Sequence, residues 1–161
     1  MSYDSTASME NLVVSGSGER DRKSADGNGG DSSPLKPLRN LKVLLIDDSQ
    51  DTLEMYERFL KDQGATVVTA SDGVTALQTL LFLKPDVTIL DLAMPRITGW
   101  EVLQTLRRDA RTRRLCVIAL SGQDARDSAM AAGADFYVAK PCLPHHLMST
   151  MLRVLSQCAR R

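Results

Sequence analysis

The stretch Asp86-Val87-Thr88-Ile89-Leu90-Asp91-Leu92-Ala93-Met94-Pro95 constrains the fold of this chain more than any other. Val87, Ile89 and Leu90 form a short apolar run of the kind found in strands buried on both faces. Such a strand needs a covering layer on each side of its sheet. Pro85 punctuates its start, and Pro95 stops regular pairing from continuing. Asp91 falls where the strand ends. In an open parallel sheet the carboxyl ends of the strands form the rim at which ligand sites are built. An isolated Asp in that place more often caps a turn, so the weight of Asp91 depends on what other strands bring to the same rim.

The chain on either side alternates strand and helix patterns. Residues 41–46 form a first strand that ends in Asp47-Asp48, after which Ser49 is a plausible N-cap with Asp51 in the first turn. Leu53, Tyr56, Phe59 and Leu60 repeat as one helix face that closes at Gly64. Residues 66–69 are a second strand, and Ser71-Asp72-Gly73 turns into a helix carrying Ala76, Leu77, Leu80 and Leu81. This helix stops before Pro85. After the Asp91 strand, Thr98-x-x-Glu101 has capping-box spacing and opens a third helix with Trp100, Val102, Leu103 and Leu106. Residues 115–120 are a fourth strand ended by Ser121-Gly122, and an Ala-rich helix over about 124–132 ends at Gly133. Residues 134–138 are the last strand, ended by Lys140-Pro141, and a final helix over 144–157 shows Leu147, Met151, Val154 and Leu155 on one face.

Five strands alternating with five helices give an α/β fold with a parallel sheet covered on both sides. Right-handed crossovers and strand order 2-1-3-4-5 make it a flavodoxin-like (βα)5 doubly wound sheet. The order reverses between the first and third strands, so Asp47-Asp48 and Asp91 face each other across the switch point.

Composition bounds the alternatives. The 161 residues hold 20 Lys and Arg against 20 Asp and Glu, so net charge makes no case for nucleic acid or an anionic membrane. No apolar run approaches a membrane span, and the polar N-terminus has no signal-peptide core. Cys116, Cys142 and Cys158 lack any C-x-x-C spacing and cannot all pair, which reads as reduced thiols in a soluble cytoplasmic protein. Residues 1–39, rich in Gly and Ser with Leu12-Val13-Val14 as the only apolar cluster, read as a disordered tail. The folded domain is expected over 40–158, with 159–161 as the C-terminal end.

Asp47, Asp48 and Asp91 converging on one cleft repel, and a hard divalent cation suits such an oxygen-only ligand set. Mg²⁺ is favoured, with the backbone carbonyl of Ala93 as a further ligand. Lys140 brings a positive charge to the same edge, so that three acids are balanced by the metal and one lysine. This is a site for phosphoryl transfer to a carboxylate, with Ser121 placed to donate a hydrogen bond to the phosphoryl group. Each residue has a duller reading as a turn, cap or surface amine. Their joint placement at strand ends favours the functional one.

The motifs Leu45-Ile46-Asp47-Asp48-Ser49, Ile89-Leu90-Asp91-Leu92-Ala93-Met94-Pro95-x-x-Thr98-Gly99, Ala119-Leu120-Ser121-Gly122 and Tyr137-x-x-Lys140-Pro141 resemble receiver domains of two-component response regulators. The resemblance covers about residues 41–158. It implies that Asp91 is the phosphoacceptor and that Asp47 and Asp48 organise Mg²⁺, Asp48 more directly and Asp47 through water. It also implies that Ser121 is the switch hydroxyl, Lys140 the phosphate-contacting lysine and Tyr137 the switch aromatic, with a cis Lys140–Pro141 peptide. Such a domain takes a phosphoryl group onto itself and is not a classical enzyme. The implied partners are a sensor histidine kinase or histidine phosphotransfer protein, and a downstream protein target bound through the fourth helix, fifth strand and fifth helix. A phosphorylation-dependent homodimer is compatible with this, and Ala93 and Gln123 are neighbours of the kind that tune dephosphorylation in the family.

Rival readings fare worse. A flavin carrier would want a hydroxyl-rich loop where Asp47-Asp48 stands, and an Asp-nucleophile phosphatase would want a proton donor where Ala93 stands. A non-phosphorylated pseudo-receiver of the same fold tends to lack an acid or the lysine, and all are present. His145 and His146 are adjacent on a helix, point apart, and read as exposed residues. Trp100 reads as packing. With no output domain following the final helix, the expectation is a single-domain response regulator, with the receiver portion of a hybrid histidine kinase as the alternative.

Overall fold

The computed structural model describes residues 36–122 and 124–160. Five strands alternate with five helices: β1 (Lys42–Ile46), α1 (Gln50–Asp62), β2 (Thr66–Ala70), α2 (Gly73–Leu83), β3 (Val87–Asp91), α3 (Gly99–Arg108), β4 (Val117–Ser121), α4 (Arg126–Ala131), β5 (Phe136–Ala139) and α5 (Pro144–Cys158). All strand pairs are parallel, in the order β2-β1-β3-β4-β5. The order inferred from alternation and handedness is therefore the observed one.

Every residue of β3 and of β4 is buried, as central strands between two helical layers must be. Alternate residues feed two cores. Val43, Leu45, Val87, Ile89 and Ile118 pack with Leu53, Tyr56 and Leu60 of α1 and with Leu147, Met151 and Val154 of α5. Leu44, Ile46, Leu90, Val117 and Ala119 pack on the other face with Ala76 and Leu80 of α2, with Val102, Leu103 and Leu106 of α3, and with Ala129 of α4. Trp100 packs at the edge of this second core, half-buried.

Local chemistry sets most boundaries. Ser49 caps α1 by accepting from the Thr52 N–H, Asp72 caps α2 by accepting from Thr75, and Thr98 with Glu101 forms a complete capping box at α3. Gly64 and Gly133 follow α1 and α4 with φ of 97° and 104°, the left-handed geometry that glycine adopts without strain. α4 is two residues shorter at its start than the sequence suggests: Ala125 precedes it with no side chain to cap it. β4 starts at Val117 rather than Leu115, because the Leu115 carbonyl is taken by the Arg107 guanidinium at 3.0 Å. β5 starts at Phe136 because the Asp135 carboxylate turns back to the Val117 N–H at 2.8 Å.

Two expectations change. The tail assignment lies outside the described residues up to 35, but Leu38 is fully buried and its N–H donates to the Gln63 carbonyl at 3.0 Å. The turn around it therefore packs with the domain. The reading of three reduced thiols is corrected as well: Cys116, just before β4, and Cys158, at the end of α5, are joined in a disulfide with Cα atoms 6.0 Å apart. A separation of 42 residues hid the pair, which meets only because α5 runs back along the sheet to the start of β4. Cys142 is a free thiol.

Candidate functional site

Four strands deliver polar side chains to one rim. Asp47 and Asp48 follow β1, Asp91 ends β3, Ser121 ends β4 and Lys140 follows β5. β1 and β3 are hydrogen-bonded neighbours with Ile46 opposite Leu90, which puts the residues after each side by side. Asp91 pairs with Leu120, so Ser121 stands one residue further along the same rim. Carboxylate oxygens of Asp47, Asp48 and Asp91 lie within 4.8 Å of one another.

The two buried acids are held alike. Asp47 Oδ1 accepts from the Ser49 N–H at 2.9 Å, and Asp91 Oδ1 accepts from the Ala93 N–H at 3.0 Å. Each carboxylate is thus pinned by the backbone two residues on, the local turn that Asp favours. The remaining oxygens share one cation: Lys140 Nζ donates to Asp47 Oδ2 at 2.7 Å and to Asp91 Oδ2 at 2.8 Å. Asp47 and Asp91 are buried, whereas Asp48 is exposed. Within the described residues the acid nearest solvent is therefore the one with a carboxylate open to a further ligand.

Burial pushes the Asp47 carboxyl above the ordinary carboxylate range, more than its bonds to Lys140 and Ser49 pull it down. Burial also works against the Lys140 ammonium, but hydrogen bonds to Asp47 and Asp91 outweigh it and the pKa rises. The rim itself gathers three carboxylates around one lysine, and so carries more formal negative charge than that lysine neutralises. An additional cation among oxygen donors would relieve this, and the donor set fits Mg²⁺ chemistry.

Ser121 is buried, and its carbonyl accepts from the Lys140 N–H at 2.8 Å. Tyr137 is buried beside it, its hydroxyl 3.5 Å from the same carbonyl. The Lys140–Pro141 peptide is cis.

The model of the response regulator receiver domain family matches residues 43–152. The chain belongs to that family. The receiver is 39% identical over 114 residues to the "Probable transcriptional regulator ycf27" of Guillardia theta, a match covering 71% of this chain and 45% of that protein. To the "Transcriptional regulatory protein PrrA" of Mycobacterium tuberculosis it is 36% identical over 115 residues, covering 71% and 49%. The chain spans about half the length of these curated relatives. Among solved structures, the receiver is similar to the chemotaxis response regulator CheY4 of Vibrio cholerae, with 32% identity and a TM-score of 0.67, covering 71% of this chain and 98% of that one. It is similar also to the signal receiver domain of a histidine kinase from Syntrophus aciditrophicus, with 29% identity and a TM-score of 0.68, covering 75% and 94%.

Two supports of the receiver's site, and one tie at the opposite end of the sheet, are not singled out by the sequence reading. Tyr56, which reads only as part of an apolar helix face, donates its buried hydroxyl to the Cys142 carbonyl at 2.7 Å and so fastens the loop that follows Lys140. Gly99 opens α3 where any Cβ would fall on the Asp91 carbonyl oxygen and the Leu92 backbone, so only glycine lets the helix start against the acid-bearing loop. Arg107 donates to the carbonyls of Gly133, Arg113 and Leu115 and to Asp135 Oδ2, tying α3 to the far ends of β4 and β5. Of these, Gly99 had a signal in its place at the end of the motif that begins at Ile89. His145 and His146 are exposed as expected, but their rings do not point fully apart: the centroids are 5.0 Å from each other.

Proposed function

We propose that this receiver accepts a phosphoryl group on Asp91 from a phosphohistidine of a sensor histidine kinase or histidine phosphotransfer protein. The observation that carries the reading is the Lys140 ammonium bridging Asp47 and Asp91, with Asp48 beside them at the same rim. In the transfer the phosphorus–nitrogen bond of the donor breaks and a bond from an Asp91 carboxylate oxygen forms. The released imidazole keeps the electron pair. Asp91 Oδ1 is oriented by the Ala93 N–H, which aims the carboxylate without consuming its charge. Lys140 stays at hand to neutralise the incoming group, and the Ser121 hydroxyl donates to a phosphoryl oxygen. Asp47, Asp48, Asp91 and the Ala93 carbonyl would hold Mg²⁺, which when bound supplies charge neutralisation for the phosphoryl oxygens.

Tyr137 is the proposed switch aromatic. Because it is already buried against Ser121, its response is a change of partner inside the fold rather than an inward swing from solvent. The surface of α4, β5 and α5 then presents the altered state to a protein target, as expected of a response regulator working in the cytoplasm. No helix among the described residues is long and apolar enough to cross a membrane. Resemblance to the receiver of a histidine kinase supports a second setting, the receiver portion of a hybrid kinase, for the same chemistry.

The test is mass spectrometry after incubation with a small-molecule phosphodonor and Mg²⁺. The wild-type chain should gain one phosphoryl group, Asp91→Asn should gain none, and Ser49→Ala should behave as wild type. An unmodified wild-type chain would leave a pseudo-receiver as the better description.

A further inference from the structure

α2 is unlike the other long helices of this domain. From Gly73 to Leu83 it contains no charged residue, whereas the outer faces of α1 and α3 carry Asp51, Glu54, Arg58, Glu101 and Arg108. Gly73, Ala76 and Leu80 are buried against the sheet. The opposite side, which should be polar on a surface helix, carries Val74 at 51% exposure, Leu81 at 42% and Phe82 at 87%, with Gln78 among them. Spacings of four, seven and eight residues from Val74 put these side chains on one stripe. An apolar helix surface of this kind is one that something covers.

The pattern along α2 says what fits. Val74 and Phe82 lie four residues before and after Gln78, and Asp72 and Lys84 lie six before and after it. Turning the helix end for end about Gln78 therefore places Phe82 on Val74 and the basic end on the acidic end. A like-oriented partner would set Asp72 beside Asp72 and Lys84 beside Lys84. Reversed helices also align their macrodipoles favourably. A surface that complements itself under a two-fold rotation is the requirement for an isologous contact.

We propose that α2 is the contact helix of a two-fold homodimer, lying antiparallel on α2 of a second copy. Gln78 sits at the axis beside its symmetry mate, where two primary amides can exchange hydrogen bonds. Phe82 packs on the partner's Val74, and Lys84 faces the partner's Asp72. Eleven residues span only about 16 Å, so the contact is smaller than the ~1,600 Å² of a standard interface and the dimer is weak. This face is separate from α4, β5 and α5, and the dimer does not depend on whether Asp91 takes phosphate.

Sedimentation velocity of the full chain in reducing buffer, at concentrations up to about 1 mM, reads the association directly. The weight-average mass should climb from one chain towards two, and Phe82→Glu should weaken the association at least about tenfold with an unchanged circular dichroism spectrum. Oxidation of Gln78→Cys should join two chains through residue 78, identified by peptide mass spectrometry. Val74→Cys should cross-link only when mixed with Phe82→Cys. A wild-type chain that stays monomeric throughout overturns the proposal and leaves α2 to a different partner. A dimer that Phe82→Glu does not weaken, or efficient self-cross-linking of Val74→Cys, overturns it as well.

Discussion

One ammonium shared by two buried carboxylates makes Lys140 the residue on which the rim depends electrostatically. Removing one partner of a buried pair costs ~3–5 kcal/mol, and a lysine side chain that is 25% exposed earns less than that. Lys140→Met is expected to lower unfolding free energy by about 2 kcal/mol at neutral pH, measured by urea denaturation, with part of the loss recovered on adding Mg²⁺. The pH dependence has a definite sign. Because the folded pKa of Lys140 lies above the ordinary 10.5, its contribution is complete below that value and is lost as pH rises through the folded pKa. Wild type should show this alkaline loss and Lys140→Met should not. Thr88 offers a contrast inside β3: its hydroxyl is buried with no hydrogen-bond partner among the described residues. Replacing an unsatisfied buried hydroxyl by a methyl of similar shape relieves a desolvation cost, so Thr88→Val should raise stability by about 1 kcal/mol in the same titration.

The elements were legible where their chemistry is local. Capping at Ser49, Asp72 and Thr98, closure at Gly64 and Gly133, and the apolar faces of α1, α3 and α5 all follow from residues within a few positions. Boundaries moved where a distant group took a backbone partner, as Arg107 does at Leu115 and Asp135 at Val117. Leu81 is an instructive miss, since its spacing matches the buried face yet α2 turns it 42% towards solvent. In a helix apolar on every side, periodicity does not say which side faces in. Arg107 also carries a prediction at this scale. Its planar guanidinium reaches three carbonyls and Asp135 at once, a geometry that one ammonium cannot reproduce. Arg107→Lys should therefore cost about 2–3 kcal/mol, read as a lowered urea midpoint with an unchanged slope.

At the scale of the whole molecule, the folded unit takes in the turn before β1, because Leu38 is fully buried in the core on the α1 and α5 side of the sheet and its N–H is held by the Gln63 carbonyl. Leu38→Ala should destabilise by about 2–4 kcal/mol in thermal or urea unfolding, whereas a surface residue of a tail would change nothing measurable. Fold class and rim were readable from the chain alone. Period-two and period-3.6 patterns report burial directly, and a parallel α/β sheet has one side on which strand ends can collect acids, a hydroxyl and a lysine. Asp47, Asp48, Asp91, Ser121 and Lys140 could thus be nominated from their places after apolar runs. Tertiary structure alone decided which of them touch: that Lys140 bridges Asp47 and Asp91, that Tyr56 braces the loop after Lys140, and that Cys116 meets Cys158. The reason is physical. Pattern is a property of neighbours along the chain, whereas contact between residues 42 to 93 positions apart depends on how the layers pack, which local sequence does not encode.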